Sequence, residues 1–134
     1  HDETGKSSTL IHTIIEYAKF GLKIASGSHE ITKCTISRNS QCGIFVSGSA
    51  SPRITYCTIS ANSGLGGIFL AGSAKPLLHH NNIVNNDWAI QSHSSIMVDA
   101  NDNWWGAAPP DESLFIGKTD RTTWLTSPEK EAPQ

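Results

Sequence analysis

Four side chains that can bind a polymer recur at nearly constant intervals along the chain. His12, Lys33, Tyr56 and His80 are separated by 21, 23 and 24 residues, and Asn82 follows two residues after the last of them. If each interval is one coil of a repeating fold, these side chains stand in a line on its surface. Imidazole, ammonium, phenol and amide groups all hydrogen-bond hydroxyl groups, and the tyrosine ring adds apolar contact. The pattern fits the ordinary solvated face of a sheet, and it also fits a carbohydrate-binding strip that could hydrogen-bond a polysaccharide lying along the coil axis.

Phe45 and Phe69 form a second repeated feature, 24 residues apart. Leaving a phenylalanine in water forgoes about 1.5 to 3 kcal/mol relative to full burial. The pair is therefore predicted to be an interaction patch for a sugar or a protein. A further interpretation places both rings under the loop Ser63–Gly66 or under the C-terminal tail.

Catalytic and metal-binding groups are not predicted. The aspartates within the repeat are Asp87, at a turn, and Asp99 and Asp102, both in the last copy. His79 and His80 are neighbours on a predicted strand, so their side chains leave on opposite sides and do not form a ligand pair. We predict no catalytic residue, no metal site and no cofactor.

A long internal repeat must position these residues. Ile31–Asn39 reads ITKCTISRN and Ile54–Asn62 reads ITYCTISAN, 23 residues later, and GIFVSGSA and GIFLAGSA follow them. Leu78 opens a third matching copy, Leu10 an earlier one and Val98 a fifth. Short alternating runs rich in β-branched residues predict strands, and one copy is too short to bury its own apolar side. The sequence therefore predicts an all-β chain, a short right-handed parallel β-helix, or solenoid, of about four to five coils with an irregular C-terminal cap.

Stacked copies make columns of like residues. Asn39, Asn62 and Asn86 are predicted to form an asparagine ladder at a bend, where asparagine tolerates a left-handed backbone. Cys34 and Cys57 are predicted to point inward, in a column completed by Thr13, Asn81 and Asn101. Parallel side-chain vectors do not favour a disulfide there. Cys42 is predicted to lie partly exposed in a turn.

The chain is predicted to be one domain: a disordered lead over residues 1–7, coils over 8–106, and a cap and tail over 107–134. Residues 9–24 also fit helical spacing, so a capping helix competes with a first coil there. The cap is predicted to contain the large apolar residues near the end, with an aromatic sugar platform as the alternative, and Ser127–Gln134 is predicted to be a loose end. The cap residues are Trp104, Trp105, Phe115, Trp124 and Leu125.

Composition and charge limit the classes of binding partner that the chain is predicted to have. The 134 residues carry a net charge of −2 and are 37% hydrophobic, and the basic residues are scattered. We therefore predict no nucleic-acid partner and, without an apolar run of about 18 residues, no membrane span. The start matches neither a signal peptide nor a methionine start, so we expect a piece of a longer protein. An uncapped first coil would leave an open edge, which predicts a homodimer.

The repeat resembles the right-handed parallel β-helix family of the pectate-lyase-like superfamily, which includes carbohydrate-binding and sugar-hydrolysis repeats. The resemblance rests on the Gly-Ile strands, on Ser49–Pro52 and Ser73–Pro76, and on the closing Asn103–Gly106, and it covers about residues 8–106. It implies an extracellular, periplasmic or cell-surface location. Lyase arginine clusters and the aspartate patterns of polygalacturonase-like hydrolases are missing. We therefore interpret the chain as a non-catalytic scaffold or polysaccharide-contacting module, with a fragment of a polysaccharide lyase or glycoside hydrolase and a self-assembly module as alternatives.

Overall fold

A computed structural model describes residues 8–133, and the expected lead over residues 1–7 lies outside them. The strands form three parallel sheets that wind around one core. The first sheet contains β1 Thr9–Ile11, β4 Glu30–Thr32, β7 Arg53–Thr55, β10 Leu77–His79, β13 Val98–Asp99 and β15 Thr119–Asp120. The second contains β2 Ile14–Glu16, β5 Thr35–Ser37, β8 Thr58–Ser60 and β11 Asn82–Val84. The third contains β3 Phe20–Ile24, β6 Cys42–Val46, β9 Ile68–Leu70, β12 Ile90–Ser92 and β14 Phe115–Ile116. The prediction of an all-β parallel solenoid is confirmed.

The first coil is made of strands, as the repeat columns predict, and the competing helix over residues 9–24 does not form. Leu10 pairs with Ile31 on the first sheet, and Leu22 pairs with Ile44 on the third. A helix would bond only within itself, whereas the strands also bond the exposed backbone of the second coil. The repeat columns therefore override the local helical spacing.

Inward-facing aliphatic residues from all three sheets fill the core, including Ile36, Ile59 and Ile68, each completely buried. The three cysteines are buried and none of them forms a disulfide bond: Cys34, Cys42 and Cys57. The prediction that Cys42 is partly exposed is wrong, because Cys42 begins β6 and points inward. Burial raises the pKa of the Cys42 thiol to about 12.

Two bends in each coil use left-handed backbone. The first column is His12, Lys33, Tyr56, His80 and Asp102, with φ between 53° and 62°, and the second includes Arg38 and Ala61. The second bend lies immediately before the ladder asparagines. The expectation that the asparagines themselves take the left-handed conformation is therefore wrong, since the preceding residue does.

The asparagine ladder itself is confirmed. Asn39 Nδ2 donates to Asn62 Oδ1 at 2.9 Å, and Asn62 Nδ2 donates to Asn86 Oδ1 at 3.0 Å. The ladder lies against one glycine in each of three coils, at or just before the start of β3, β6 and β9: Gly21, Gly43 and Gly67. A Cβ on Gly43 would meet Asn62 Nδ2 at 2.9 Å and the carbonyl oxygen of Gly67 at 2.6 Å. Glycine therefore occupies position 43 because the neighbouring coil leaves no space for a side chain.

The fifth coil is shifted by two residues from the predicted alignment. Leu77 pairs with Asp99. In this register Ala100, rather than Val98, lies beside Leu78. Asn103, and not Asn101, then lies beside Asn81, whose Nδ2 donates to Asn103 Oδ1 at 3.0 Å. The predicted placement of Val98 and Asn101 is wrong, and the true register creates a second asparagine ladder.

The segment after the fifth coil continues the solenoid before it ends. A 3-10 turn at Glu112–Leu114 precedes β14 and β15. Trp105 is 3% exposed and packs edge-on against Phe115, with ring centroids 4.8 Å apart. Trp124 is 38% exposed. Trp105 thus belongs to the packed end of the core, and its buried ring cannot serve a sugar platform. Within residues 8–133, no helix is long and apolar enough to cross a membrane.

Candidate functional site: a polar strip at the first bend

The predicted strip lies where the first sheet turns into the second. Thr32, Thr55 and His79 are paired in register, so Lys33, Tyr56 and His80 follow one above another. The left-handed backbone at each of these positions turns the side chain outward. The structure places Lys33, Tyr56 and His80 in register, as the repeat predicts. Their role in binding stays a prediction.

Tyr56 is held between its neighbours in the column. Its ring stacks on the His80 ring with centroids 5.2 Å apart and planes within 7°. From the preceding coil, Lys33 Nζ lies 5.7 Å from the Tyr56 centroid. Because both ring faces are covered, Tyr56 can meet a ligand through its edge and its hydroxyl. The strip therefore offers hydrogen-bonding groups and charge more than open ring faces.

Beside this column runs a row of short polar side chains on the second sheet. Thr35 pairs with Thr58, and Thr58 pairs with Asn82, each at the start of its strand. Asn82 is 7% exposed, whereas His12, at the open end of the neighbouring column, is exposed. The two columns together form a polar band parallel to the coil axis.

The C-terminal tail, described as far as Pro133, lies on this band, whereas a loose end was expected for Ser127–Gln134; Gln134 lies outside the described residues. Glu129 N donates to Asn82 Oδ1 at 2.7 Å, and Asn82 Nδ2 donates to the Glu129 carbonyl oxygen at 3.2 Å. The Thr58 hydroxyl donates to the carbonyl oxygen of Pro133. Ala132, between these anchors, is 4% exposed.

Charge pairing accompanies the backbone contacts of the tail. A Glu129 carboxylate oxygen lies 3.0 Å from His80 Nδ1, and a Glu131 carboxylate oxygen lies 3.7 Å from Lys33 Nζ. Two glutamates near the end of the chain and two basic groups in the strip were the available sequence signal. Their separation along the chain, 49 residues for the His80 pair, hid the contact.

The phenylalanine patch lies on the third sheet. Phe45 and Phe69 are half-buried and stack with centroids 5.1 Å apart. Phe20 meets Phe45 edge-on, and His93 lies against Phe69 with centroids 5.2 Å apart. The rings shield one another from water, so the patch has a structural role as well as a predicted role in interaction.

The aspartates of the repeat serve as structural acceptors. Asp99 Oδ1 lies 2.9 Å from His79 Nε2, and Asp87 Oδ2 accepts from Gly64 N at 2.9 Å. Burial raises the pKa of Asp99, but the hydrogen bonds from His79 and Asn101 outweigh it, so the pKa is lowered overall. Asp102 Oδ1 accepts from the Thr123 hydroxyl at 2.8 Å. In the described part of the chain, no three histidine, cysteine or acidic side chains are grouped to hold a metal ion.

Among the described residues, the first coil carries exposed apolar side chains, and Ile11 and Ile14 lie on the outward faces of β1 and β2, in register with Thr32 and Thr35. Ile11 is 48% exposed, Ile14 is 68% exposed and Tyr17 is 76% exposed. An open cavity of about 730 Å³ is lined in part by Leu10, Leu22 and Ile24. This surface is where the predicted homodimer would form.

Comparison with known proteins places the chain in a fold family. The family model described as "Right handed beta helix region" matches residues 2–103. No curated protein and no solved structure gave a significant match.

Proposed function

Since the chain belongs to the right-handed β-helix family, we propose that it is a non-catalytic module that contacts a polysaccharide through the polar strip. The strip comprises His12, Lys33, Tyr56, His80 and Asn82. In this proposal the module is part of a larger secreted or cell-surface protein. The stacked coils of the solenoid serve that protein as a scaffold.

The observation that carries the proposal is the alignment of the strip with the coil axis. Successive coils repeat at about 4.8 Å, so Lys33, Tyr56 and His80 offer one polar group per coil along a straight line. A linear polymer lying along the axis can meet these groups in succession, whereas a compact ligand meets one or two. Because Tyr56 is stacked on both faces, sugar contact here relies on hydrogen bonds and charge.

The non-catalytic assignment is supported by the engagement of the aspartates. A general acid and base must flank the same glycosidic bond as a pair. Asp87, Asp99 and Asp102 instead accept hydrogen bonds from three separate parts of the chain. The alternative, a fragment of a polysaccharide lyase or hydrolase, requires catalytic groups from other coils.

We expect titration with alginate or neutral glucan oligosaccharides to show saturable binding without turnover. Tyr56→Ala should weaken the affinity about fivefold, the effect of losing a contact of about 1 kcal/mol. Tyr17→Ala is the matched control, because Tyr17 also sits at a left-handed bend, with φ of 62°, but in the other column. Calorimetry with and without calcium, together with an assay for reducing ends and unsaturated products, measures both properties. Equal affinity in Tyr56→Ala and wild type would remove the strip from the proposal, and turnover would favour the enzyme alternative.

Self-association is a second candidate function, favoured by the exposed aliphatic residues of the first coil. A second copy that covers Ile11 and Ile14 would also pair the open strands. We expect a concentration-dependent dimer in sedimentation analysis, weakened by Ile14→Ser and unaffected by Met97→Ser, which changes another exposed apolar residue, 56% exposed. Disruption by Phe69→Ser instead would assign the interface to the phenylalanine patch. A monomer at all concentrations would contradict self-association.

A further inference from the structure

We propose that the C-terminal segment 128–133 is a displaceable strap over the polar strip, and that polysaccharide must remove it to bind. The proposal rests on the proposed function for the identity of the ligand. Its structural half, a reversible contact between the tail and the strip, rests on the tail contacts alone.

The strap is anchored mainly through its backbone. The Asn82 side-chain amide both accepts from Glu129 N and donates to the Glu129 carbonyl, and Thr58 donates to the Pro133 carbonyl. An amide side chain that pairs with the backbone N–H and C=O of one residue does so whatever side chain that residue carries. The same Asn82 and Thr58 groups would face the hydroxyls of a polymer lying on the strip. Ligand and strap therefore compete for the same atoms.

The carboxylates of the strap occupy the charged groups of the strip. Glu129 lies against His80 and Glu131 near Lys33. The Lys33 and Glu131 side chains are 37% and 67% exposed, so water and salt screen their attraction. The Lys33–Glu131 pair therefore orients the tail without locking it in place, whereas the Glu129 side chain is 13% exposed and its contact with His80 is the better shielded of the two.

Sparse apolar contact makes the strap easy to release. Among residues 127–133, Ala132 is the one buried residue, while Pro128, Lys130 and Glu131 are exposed. Segments with little buried apolar surface open at low cost in free energy, well below the cost of global unfolding. The core behind the strip, by contrast, is completely buried at Cys57 and Ile59. The tail can therefore leave while the coils stay folded.

Competition lowers the apparent affinity for polymer by the fraction of molecules in which the strip is open. A full-length chain with a weakened strap should therefore bind more tightly. In Glu129→Gln/Glu131→Gln the strip is unchanged and the tail loses both charge contacts. We expect this variant to bind neutral glucan oligosaccharides about fivefold more tightly than wild type. Glu30→Gln/Glu112→Gln is the control, since it changes the net charge equally and also removes two charge pairs, with Arg53 and Arg121, away from the strip.

Amide hydrogen exchange at Glu129 reports the strap directly. The Glu129 N–H should be protected in wild type through its bond to Asn82, and should exchange about tenfold faster in the isosteric variant Asn82→Asp, which loses the donor to the Glu129 carbonyl. Thr58→Val removes the other anchor, and Thr35→Val is its matched control one coil away in the same row. Saturating oligosaccharide should remove the protection of Glu129 in wild type.

The outcomes separate the strap from the proposed function. Oligosaccharide binding that leaves Glu129 protected, or that is no tighter in Glu129→Gln/Glu131→Gln, overturns the strap and leaves the proposed function intact. If no variant binds either oligosaccharide, the proposed function fails, and a labelled peptide of residues 127–134 then tests the strap. The peptide should bind Glu129→Gln/Glu131→Gln more tightly than wild type, whose own tail competes; equal or absent binding overturns the strap.

Discussion

Replacing Asn62 by alanine should lower the free energy of unfolding by about 3 to 5 kcal/mol, because it leaves several buried polar groups without partners. Asn62 is 1% exposed. Its Oδ1 accepts from the backbone and the side chain of Asn39, and its Nδ2 donates to the Ile36 carbonyl and to Asn86. Alanine fills none of these roles.

Urea denaturation followed by far-UV circular dichroism measures this effect. Ser63→Ala, at the adjacent exposed position, should change stability by less than about 0.5 kcal/mol. If Asn62→Ala does not fold, Asn86→Ala provides the measurement, since Asn86 is only half-buried and should cost less. A loss below about 1 kcal/mol for Asn62→Ala would show that the ladder does not hold adjacent coils together.

Trp105→Ala should destabilise the chain by about 3 to 5 kcal/mol, the range for removing a large buried aromatic side chain. Trp105 packs with Phe115 at the end of the core, so its loss would also uncover the last coil. Thermal and urea unfolding should both shift to milder conditions.

Trp105→Phe tests whether aromatic packing accounts for the effect of the alanine change. Trp105 Nε1 is buried and makes no hydrogen bond, so phenylalanine removes an unpaired donor while keeping most of the apolar contact. We expect a cost below about 1.5 kcal/mol for this change. Similar costs for alanine and phenylalanine would contradict the assignment of Trp105 to the packed end of the core.

The repeat made most of the fold predictable. Matching residues at Ile31 and Ile54, and at Ile44 and Ile68, pair directly in the sheets. The same columns favoured a first coil over residues 9–24, although the spacing of apolar residues there fits a helix equally well in isolation. The register of the fifth coil could not be predicted from the repeat. A slip of two residues keeps every side chain on the same face of its strand, so both registers fit the pattern. Asn101 and Asn103 were therefore equivalent in the pattern, and the contact with Asn81 separates them.

The strip was predictable as a column and not as a covered surface. Register alone aligned Lys33, Tyr56 and His80, but the stacking that covers both faces of Tyr56 depends on side-chain conformation. The tail contacts join Thr58 to Pro133 and Asn82 to Glu129, 75 and 47 residues apart, through polar groups that leave no periodic pattern. Local composition, with two prolines and alternating charge, indicated a loose end instead.

Amide chemical shifts of the full-length chain, followed while alginate or neutral glucan oligosaccharides are added, test the proposed strip most directly. Binding to the strip predicts shifts concentrated at Lys33, Tyr56, His80 and Asn82, with Glu129 among them as the tail is released. Shifts confined to Phe45 and Phe69, or no shifts with either oligosaccharide, would contradict polysaccharide binding at the strip.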